Sequence, residues 1–457
     1  MANAIVQVNV SQQVAPAPST LQRTGAIISQ GGTNTSPNTL SLITQPSDLT
    51  PILAAAEALT SLTWSANVVT ATTTSPHGWT NGDQVPATIA GAAPTAYNGA
   101  FTITVTGAST FTYPLMSNPG SETVPGTVIL ADEAELLDQM TEFFAQGSNV
   151  SVYVLELGEG TATEGVAALG TWITANPGVI YSYLVPREWD GNSAFITFLA
   201  GFNATTAKTY FFVTTTVGDY TDYGVPTKCL FLLVPSTTAP ASEFTTAAPW
   251  WVTLNYAPGS TNKVTPLAFS YLQDVTAYPT KGNASTLSTL KTANVNVVGT
   301  GAEGGISNTI LFWGHLMDGN PFNYWYSVDW AQINLEQALA AAVINGSNNP
   351  LAPLIYNQQG INVLQDVATQ VLQNAVTNGL ATGQVIQTQL PAAQFAQNFQ
   401  NGDYAGKIVI NAEPFLVYTQ ENPSDYAIGK YAGLGAVYTP ARGFEQIIFD
   451  LTAVNFV

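Results

Sequence analysis

The chain has 457 residues, of which 46% are hydrophobic and only 9% are charged, against about 25% charged in ordinary soluble domains. Its length allows roughly two to four domains. Its net charge is -19, and only Arg23 and Arg187 supply positive charge before Lys208, so no basic stripe exists for a nucleic-acid backbone or an anionic membrane surface. A surface hydrated by Ser, Thr, Asn, Gln and Gly has little like-charge repulsion per unit area, which permits close packing against copies of itself.

Cys229 is the single cysteine, which rules out an intrachain disulfide. It opens an apolar run, Cys229-Leu230-Phe231-Leu232-Leu233-Val234, and reads as a buried core thiol. Synthesis in a reducing cytosol fits. The N-terminus lacks the basic-then-apolar pattern of a signal peptide. Apolar segments stay shorter than the ~18 residues of a membrane span.

In chain order, residues 4–10 alternate apolar and polar side chains from Val6 onward and predict a strand. Pro16 and Pro18 then favour an extended tether, and 25–28 form a second strand. Thr50 and Pro51 resemble an N-cap and first helical position, predicting a helix over 51–62. Residues 63–128 contain no Lys or Arg. Short β-rich runs there alternate with turns such as Asn81-Gly82 and Asn98-Gly99, predicting a small all-β module. A helix follows from Asp132, with Leu136, Leu137, Met140, Phe143 and Phe144 on one face and Gly147 at its end. A helix on each side of a distinct β block is the pattern of an insertion.

From 150 to 234 the chain reads as α/β units. Strands are expected at 150–155, 179–185, 210–213 and 230–234. Thr161-x-x-Glu164 is a capping box, and 195–202 reads as helix. Near-continuous apolar strands separated by helices predict a mostly parallel sheet covered on both faces. Further strands or hairpins are expected at 295–298, 311–330 (turning at Asp318-Gly319-Asn320), 408–410, 415–418 and 444–457. Helices are expected at 331–344 and 361–377, the latter with Ile361, Leu364, Val367, Val371 and Leu372 on one side.

Chemistry-bearing patterns are sparse. Gly299-x-Gly301-x-x-Gly304 matches a dinucleotide fingerprint, but β-like residues follow where that motif needs a helix, so a turn is the better reading. His77 and His315 are the only histidines. Neither is accompanied by a hydrolase or metalloprotease motif. One Cys and two His leave a structural zinc site close to excluded, and no cofactor is expected. Glu156, Glu159 and Glu164 follow a strand end and read as a solvated acidic loop with a cap. Asp219-x-x-Asp222 reads as a turn. The aromatics between 312 and 330 fit a core or subunit interface better than a sugar groove. Strands at both chain ends could complete a neighbour's sheet by strand addition.

Several stretches resemble the sheath-like proteins of contractile-tailed phages (myoviruses). They are 143–150, 183–189, 208–213, 299–309, 344–350, Tyr324-Trp325-Tyr326-Ser327-Val328-Asp329-Trp330 and Tyr438-Thr439-Pro440-Ala441-Arg442-Gly443-Phe444. The resemblance spans nearly all of the chain outside 63–128. That insert, with Ser75-Pro76-His77-Gly78-Trp79-x-x-Gly82-Asp83 and Ala96-Tyr97-Asn98-Gly99, is similar to a β module of phage virion proteins, giving His77 a structural turn role.

The resemblance implies an α/β and α+β multidomain subunit. It would have an N-terminal arm and tether (1–25), an α/β core (26–62 plus 129–298) and an outward-facing inserted β module (63–128). A C-terminal α+β domain (299–440) and a C-terminal arm strand (441–457) would complete it. It implies a non-catalytic structural protein of the virion tail, without catalytic, metal or cofactor sites. Such subunits form hexameric rings stacked helically on a tail tube, with baseplate and tail-terminator proteins as further partners. Contraction drives the tube through the host envelope. No direct nucleic acid or membrane insertion is implied. The inter-subunit strands would use Ile5, Val6, Val8 and Val10 at one end and Ile447, Phe449, Leu451 and Phe456 at the other. Lys407, Lys430 and Arg442 are candidates to face the tube. A virion receptor- or glycan-binding protein using the β insert is the alternative.

Overall fold

A computed structural model describes residues 21–54, 56–77, 79, 81–82, 84–224, 226–301 and 308–445. Its largest element is an eight-stranded sheet. In chain order its strands are β1 (Gly25–Ser29) and β2 (Leu40–Ile43), then, beyond a six-stranded barrel, β9 (Val152–Glu156), β10 (Ser182–Leu184), β11 (Tyr210–Thr214), β12 (Leu230–Val234), β13 (Asn296–Thr300) and β14 (Thr309–Phe312). The spatial order is β14-β13-β12-β11-β10-β1-β9-β2. Every neighbouring pair is parallel except the two at the edges, β2 with β9 and β13 with β14. All residues of β1, β11 and β12 are buried, which is why 26–28, 210–213 and 230–234 are apolar runs rather than alternating ones.

Helices cover both faces. On one lie α1 (Ala131–Ala145), α4 (Ala247–Leu254) and the start of α6 (Phe322–Ser347), around Phe143, Phe212, Trp250 and Phe322. On the other lie α2 (Ala162–Ala175), α3 (Ser193–Leu199) and α5 (Ala284–Thr292), around Leu169, Phe195, Phe211 and Leu290. The capping box forms as expected: Glu164 N–H donates to Thr161 Oγ1, and Thr161 N–H donates to Glu164 Oε2. Leu136, Met140 and Phe143 are buried, whereas Leu137 is exposed, so the buried face of α1 is narrower than its apolar content.

Between β2 and α1 stands a closed antiparallel barrel. It is built from β3 (Glu57–Ser65), β4 (Val68–Thr73), β5 (Gln84–Ala90), β6 (Gly99–Gly107), β7 (Thr110–Pro114) and β8 (Thr127–Leu130), in the order β3-β4-β7-β6-β5-β8. Closure removes the open edges that short Thr-rich strands would otherwise present. Leu59, Val69, Val85, Ile103, Phe111 and Tyr113 fill its interior. The helix expected over 51–62 is absent, and β3 occupies 57–65. A register shift between Leu59 and Ser61 places the buried Leu59 and Leu62 three residues apart, imitating helical spacing.

The rest of the described chain forms a smaller α/β lobe. The 26-residue α6 leads into α7 (Gln358–Thr377), β15 (Ala381–Thr382), β16 (Gln384–Thr388), α8 (Ala392–Gln400) and β17 (Lys407–Ala412). It ends with α9 (Phe415–Glu421), α10 (Pro423–Ala427), β18 (Leu434–Val437) and β19 (Thr439–Pro440). Strands β16-β17-β18 form one sheet and β15 pairs β19. Three sequence expectations need correction or limits here. The hairpin over 311–330 is β14, a turn at Asp318–Asn320 closed by a His315–Pro321 bridge, and then the first turns of α6. Residues 331–344 continue that helix. Residues 415–418 are helical, not β, starting directly after Pro414. The strand expected over 444–457 lies outside the described residues from 446 onward.

Candidate assembly surfaces

Several of the residues weighed for chemistry in the sequence have structural surroundings that can be named. Cys229 is fully buried, its Sγ–H lies 3.6 Å from Leu199 O, and burial pushes the thiol up to about 12. Gly299 lies in β13 beneath Phe312, and a Cβ there would come within 2.4 Å of that ring. Close packing therefore explains this glycine, and β13 pairs antiparallel with β14 instead of feeding a phosphate-binding helix. Residues 302–307 lie outside the described part.

Glu156 is not solvated, contrary to the loop reading. It is 1% exposed and accepts from Ser29 Oγ, Gly31 N, Thr33 N, Thr33 Oγ1 and Gly158 N. A carboxylate with this many donors is a satisfied loop organiser. His77 stacks on Trp79, with ring centroids 4.2 Å apart, and accepts from Trp79 N at Nδ1. Phe322, Trp325 and Tyr326 pack into the core, which leaves no sugar-stacking face on them. No group of three metal-ligating side chains occurs among the described residues. A hollow beside α5, lined by Val217, Tyr220, Ser285, Thr286, Thr289 and Leu290, carries no carboxylate, imidazole or thiol.

Ile5, Val6, Val8, Val10, Ile447, Phe449, Leu451 and Phe456 lie outside the described residues, which begin and end at the roots of both terminal segments. The N-terminal root is a tight turn, Leu21–Arg23, with Leu21 and Gln22 buried. Gln22 Nε2 donates to Tyr326 O at 2.8 Å. At the C-terminal root, Ala441 N donates to Leu380 O and Asn323 Nδ2 donates to Ala441 O at 2.9 Å. The Arg442 guanidinium reaches Asn320 Oδ1 at 2.6 Å and lies 5.0 Å from the Tyr324 ring centre. His315 Nε2 meets Glu445 Oε1 at 2.7 Å. Gly443 runs so close to Pro266 that a Cβ would come within 2.5 Å of it.

Strand edges are the other assembly feature. The outer edge of β14 is covered by 269–272, which exchanges backbone hydrogen bonds with Thr309 and Leu311. In the small sheet, β16 and β18 each pair on one side only, with β17. Among the described strands none pairs on their other sides. Elsewhere in this lobe Leu351, Leu416 and Ile428 are exposed, at 95%, 68% and 75%.

No protein-family model matches the sequence, and no curated protein does. Solved structures do. Two cover 99% of both chains at 12% identity with a TM-score of 0.54: the contracted-state helical sheath of the anti-feeding prophage, and a chain of the same particle's baseplate. The chain has the fold of a contractile-tail sheath subunit. A sheath tail protein from Listeria innocua is also similar, at 8% identity and a TM-score of 0.41, covering 94% of this chain and 96% of its own.

In this sheath fold the scarce cations at the C-terminal end are held locally. Lys430 pairs with Asp425 at 3.2 Å, Lys407 Nζ donates to Asp403 O, and Arg442 sits on the C-terminal root. No helix among the described residues is long and apolar enough to cross a membrane.

Proposed function

We propose that this chain is the structural subunit of a contractile phage tail sheath. It would polymerise around a tail tube as stacked hexameric rings, with baseplate and terminator proteins at the ends, and contract to drive the tube through the host envelope. The supporting observation is likeness over 99% of both chains to a protein solved as a helical sheath.

The physical requirement is a contact that survives subunit rotation. Residues 5–10 and 447–456 act as arm strands, and the sides of β16 and β18 that pair with no described strand are their docking edges in neighbouring subunits. A strand on such an edge satisfies backbone donors and acceptors that would otherwise need water. About 20 extended residues reach roughly 65 Å, which is enough to cross to a neighbour. Lys407, Lys430 or Arg442 would meet an acidic tube surface, and the barrel would face outward, since an insertion on the tube wall would block the bore.

Negative-stain electron microscopy of the purified chain, beside a version lacking residues 1–20, tests this. Hollow tubes from the intact chain and none from the truncated one are expected. Discrete particles from both, at high concentration and varied salt, would move the assignment to a receptor- or glycan-binding virion protein.

A further inference from the structure

Both ends of the described chain dock on the same short stretch of one helix. The N-terminal root reaches α6 through Gln22 Nε2 and Tyr326 O. The C-terminal root reaches it through Asn323 Nδ2 and Ala441 O, three residues earlier on the helix, and through Arg442 over the Tyr324 ring. Leu380 O ties the two sides together, accepting from Ser327 Oγ of α6 at 2.6 Å and from Ala441 N at 2.9 Å.

The helix itself is held from beneath. Asp329 Oδ2 accepts from Tyr181 OH at 2.9 Å and Tyr210 OH at 2.8 Å, two tyrosines at the sheet's β10 and β11. Phe322 and Tyr326 pack edge-on against Tyr181. Chain ends usually fray independently. Here residues more than 400 positions apart in sequence share one buried support, with Gln22 4% and Asn323 5% exposed.

We infer that residues 320–327, the turn before α6 and its first turns, are a common clamp that fixes both arm roots to the parallel sheet, so that the two arms move as one body. This rests on the reading of the terminal segments as arms. Its consequence is mechanical. A subunit that rotates would carry both arm origins with its sheet core, so the spacing between them stays constant and a pull on one arm is transmitted to the other root. Asn323, Arg442 and Gln22 are positioning residues in this device.

Hydrogen–deuterium exchange of the full chain as a soluble subunit tests it. The variants are Gln22→Ala, Asn323→Ala, their double and Arg442→Ala, the last a surface change that leaves the core intact. Loss of one buried hydrogen bond is expected to raise exchange at its own root by about five- to tenfold. The clamp further requires that Asn323→Ala or Arg442→Ala raise exchange at 21–24 by at least about twofold, and that Gln22→Ala do so at 439–445. Effects confined to the mutated root, adding independently in the double variant, would overturn the clamp. Tube formation by the same proteins separates the two ideas. Tubes with uncoupled roots would leave the sheath reading intact and remove the clamp, whereas coupled roots without tubes would do the reverse.

Discussion

At the residue scale, the most informative group is one the sequence hides. Asp329 is fully buried; burial raises its pKa, and Lys228 together with the two tyrosine hydroxyls opposes that rise. Lys228 is buried too, donating to Thr205 O and Ala207 O and lying 4.3 Å from the Trp325 ring centre. Removing one member of such a network strands the others. Asp329→Ala should therefore lose about 3–5 kcal/mol of stability, read from urea unfolding, and Asp329→Asn clearly less, because an amide oxygen still accepts one hydroxyl. Equal losses would show that packing, not the polar network, sets the cost. Nothing in Tyr324-to-Trp330 as a sequence marks Asp329 as buried, since its partners come from β10, β11 and the loop before β12.

A second residue-scale prediction concerns pH. Asp132 and Glu142 are pushed up to about 8, and Glu133 and Glu188 to about 7, each by burial first and neighbouring carboxylates second. Arg187 pairs with Glu135 among them at 3.5 Å. A raised carboxyl pKa means the folded chain keeps protons that the unfolded chain has already released. The associated stability is fully present below the unfolded values near pH 4 and is lost as pH rises through 7 to 8. The urea midpoint should fall between pH 5 and pH 8.5, and Asp132→Asn or Glu142→Gln should flatten that fall. A midpoint rising over this range would contradict the burial of these groups.

At the element scale, the sheet was readable because parallel strands buried on both faces announce themselves as unbroken apolar runs: Tyr210–Thr214 and Leu230–Val234 stood where the sequence placed them. Helix α6 was not readable over its first turns. It is pressed between the sheet and the smaller lobe, so Phe322, Tyr324, Trp325, Tyr326 and Trp330 surround it, and a helix apolar all round has no 3.6-residue signature. The strand at 415–418 failed for a related reason, because four consecutive large side chains show no period. Pro321 and Pro414, each directly before a helix, were the usable signals. The assembly surface was least legible: the docking edges proposed for it, β16 and β18, read as ordinary sequence.

The barrel yields an element-scale prediction. Its first and last strands are hydrogen-bonded neighbours, Glu57 opposite Val128, so the chain enters and leaves within about 10 Å. Replacing residues 57–130 with a short Gly-Ser linker should leave the eight-stranded sheet folded, because loop closure across so small a gap costs little. A single cooperative melt with the parallel-sheet circular dichroism retained is the expected result. An unfolded product would mean that the contacts of α1 with β5 and β8 are required by the core.

At the scale of the whole molecule, the question is what sets the balance between free subunits and polymer. A net charge of -19 per chain opposes bringing many copies together, while exposed apolar side chains such as Leu351, Leu416 and Ile428 favour it. The repulsion acts between solvated charges and is screened over about 10 Å at 0.1 M salt and about 3 Å at 1 M. The apolar contribution is not weakened by salt, and sulfate strengthens it. Raising ionic strength from 50 to 500 mM should therefore lower the concentration at which tubes appear in sedimentation and microscopy, with sulfate acting beyond its ionic strength. Assembly that instead weakens with salt would mean ion pairs dominate the subunit contacts. With only 10 Lys and Arg per chain, those pairs would rest on few cations, and replacing the exposed Arg23, Lys263, Lys281, Lys407, Lys430 and Arg442 by Ala one at a time would then show which of them abolish tubes.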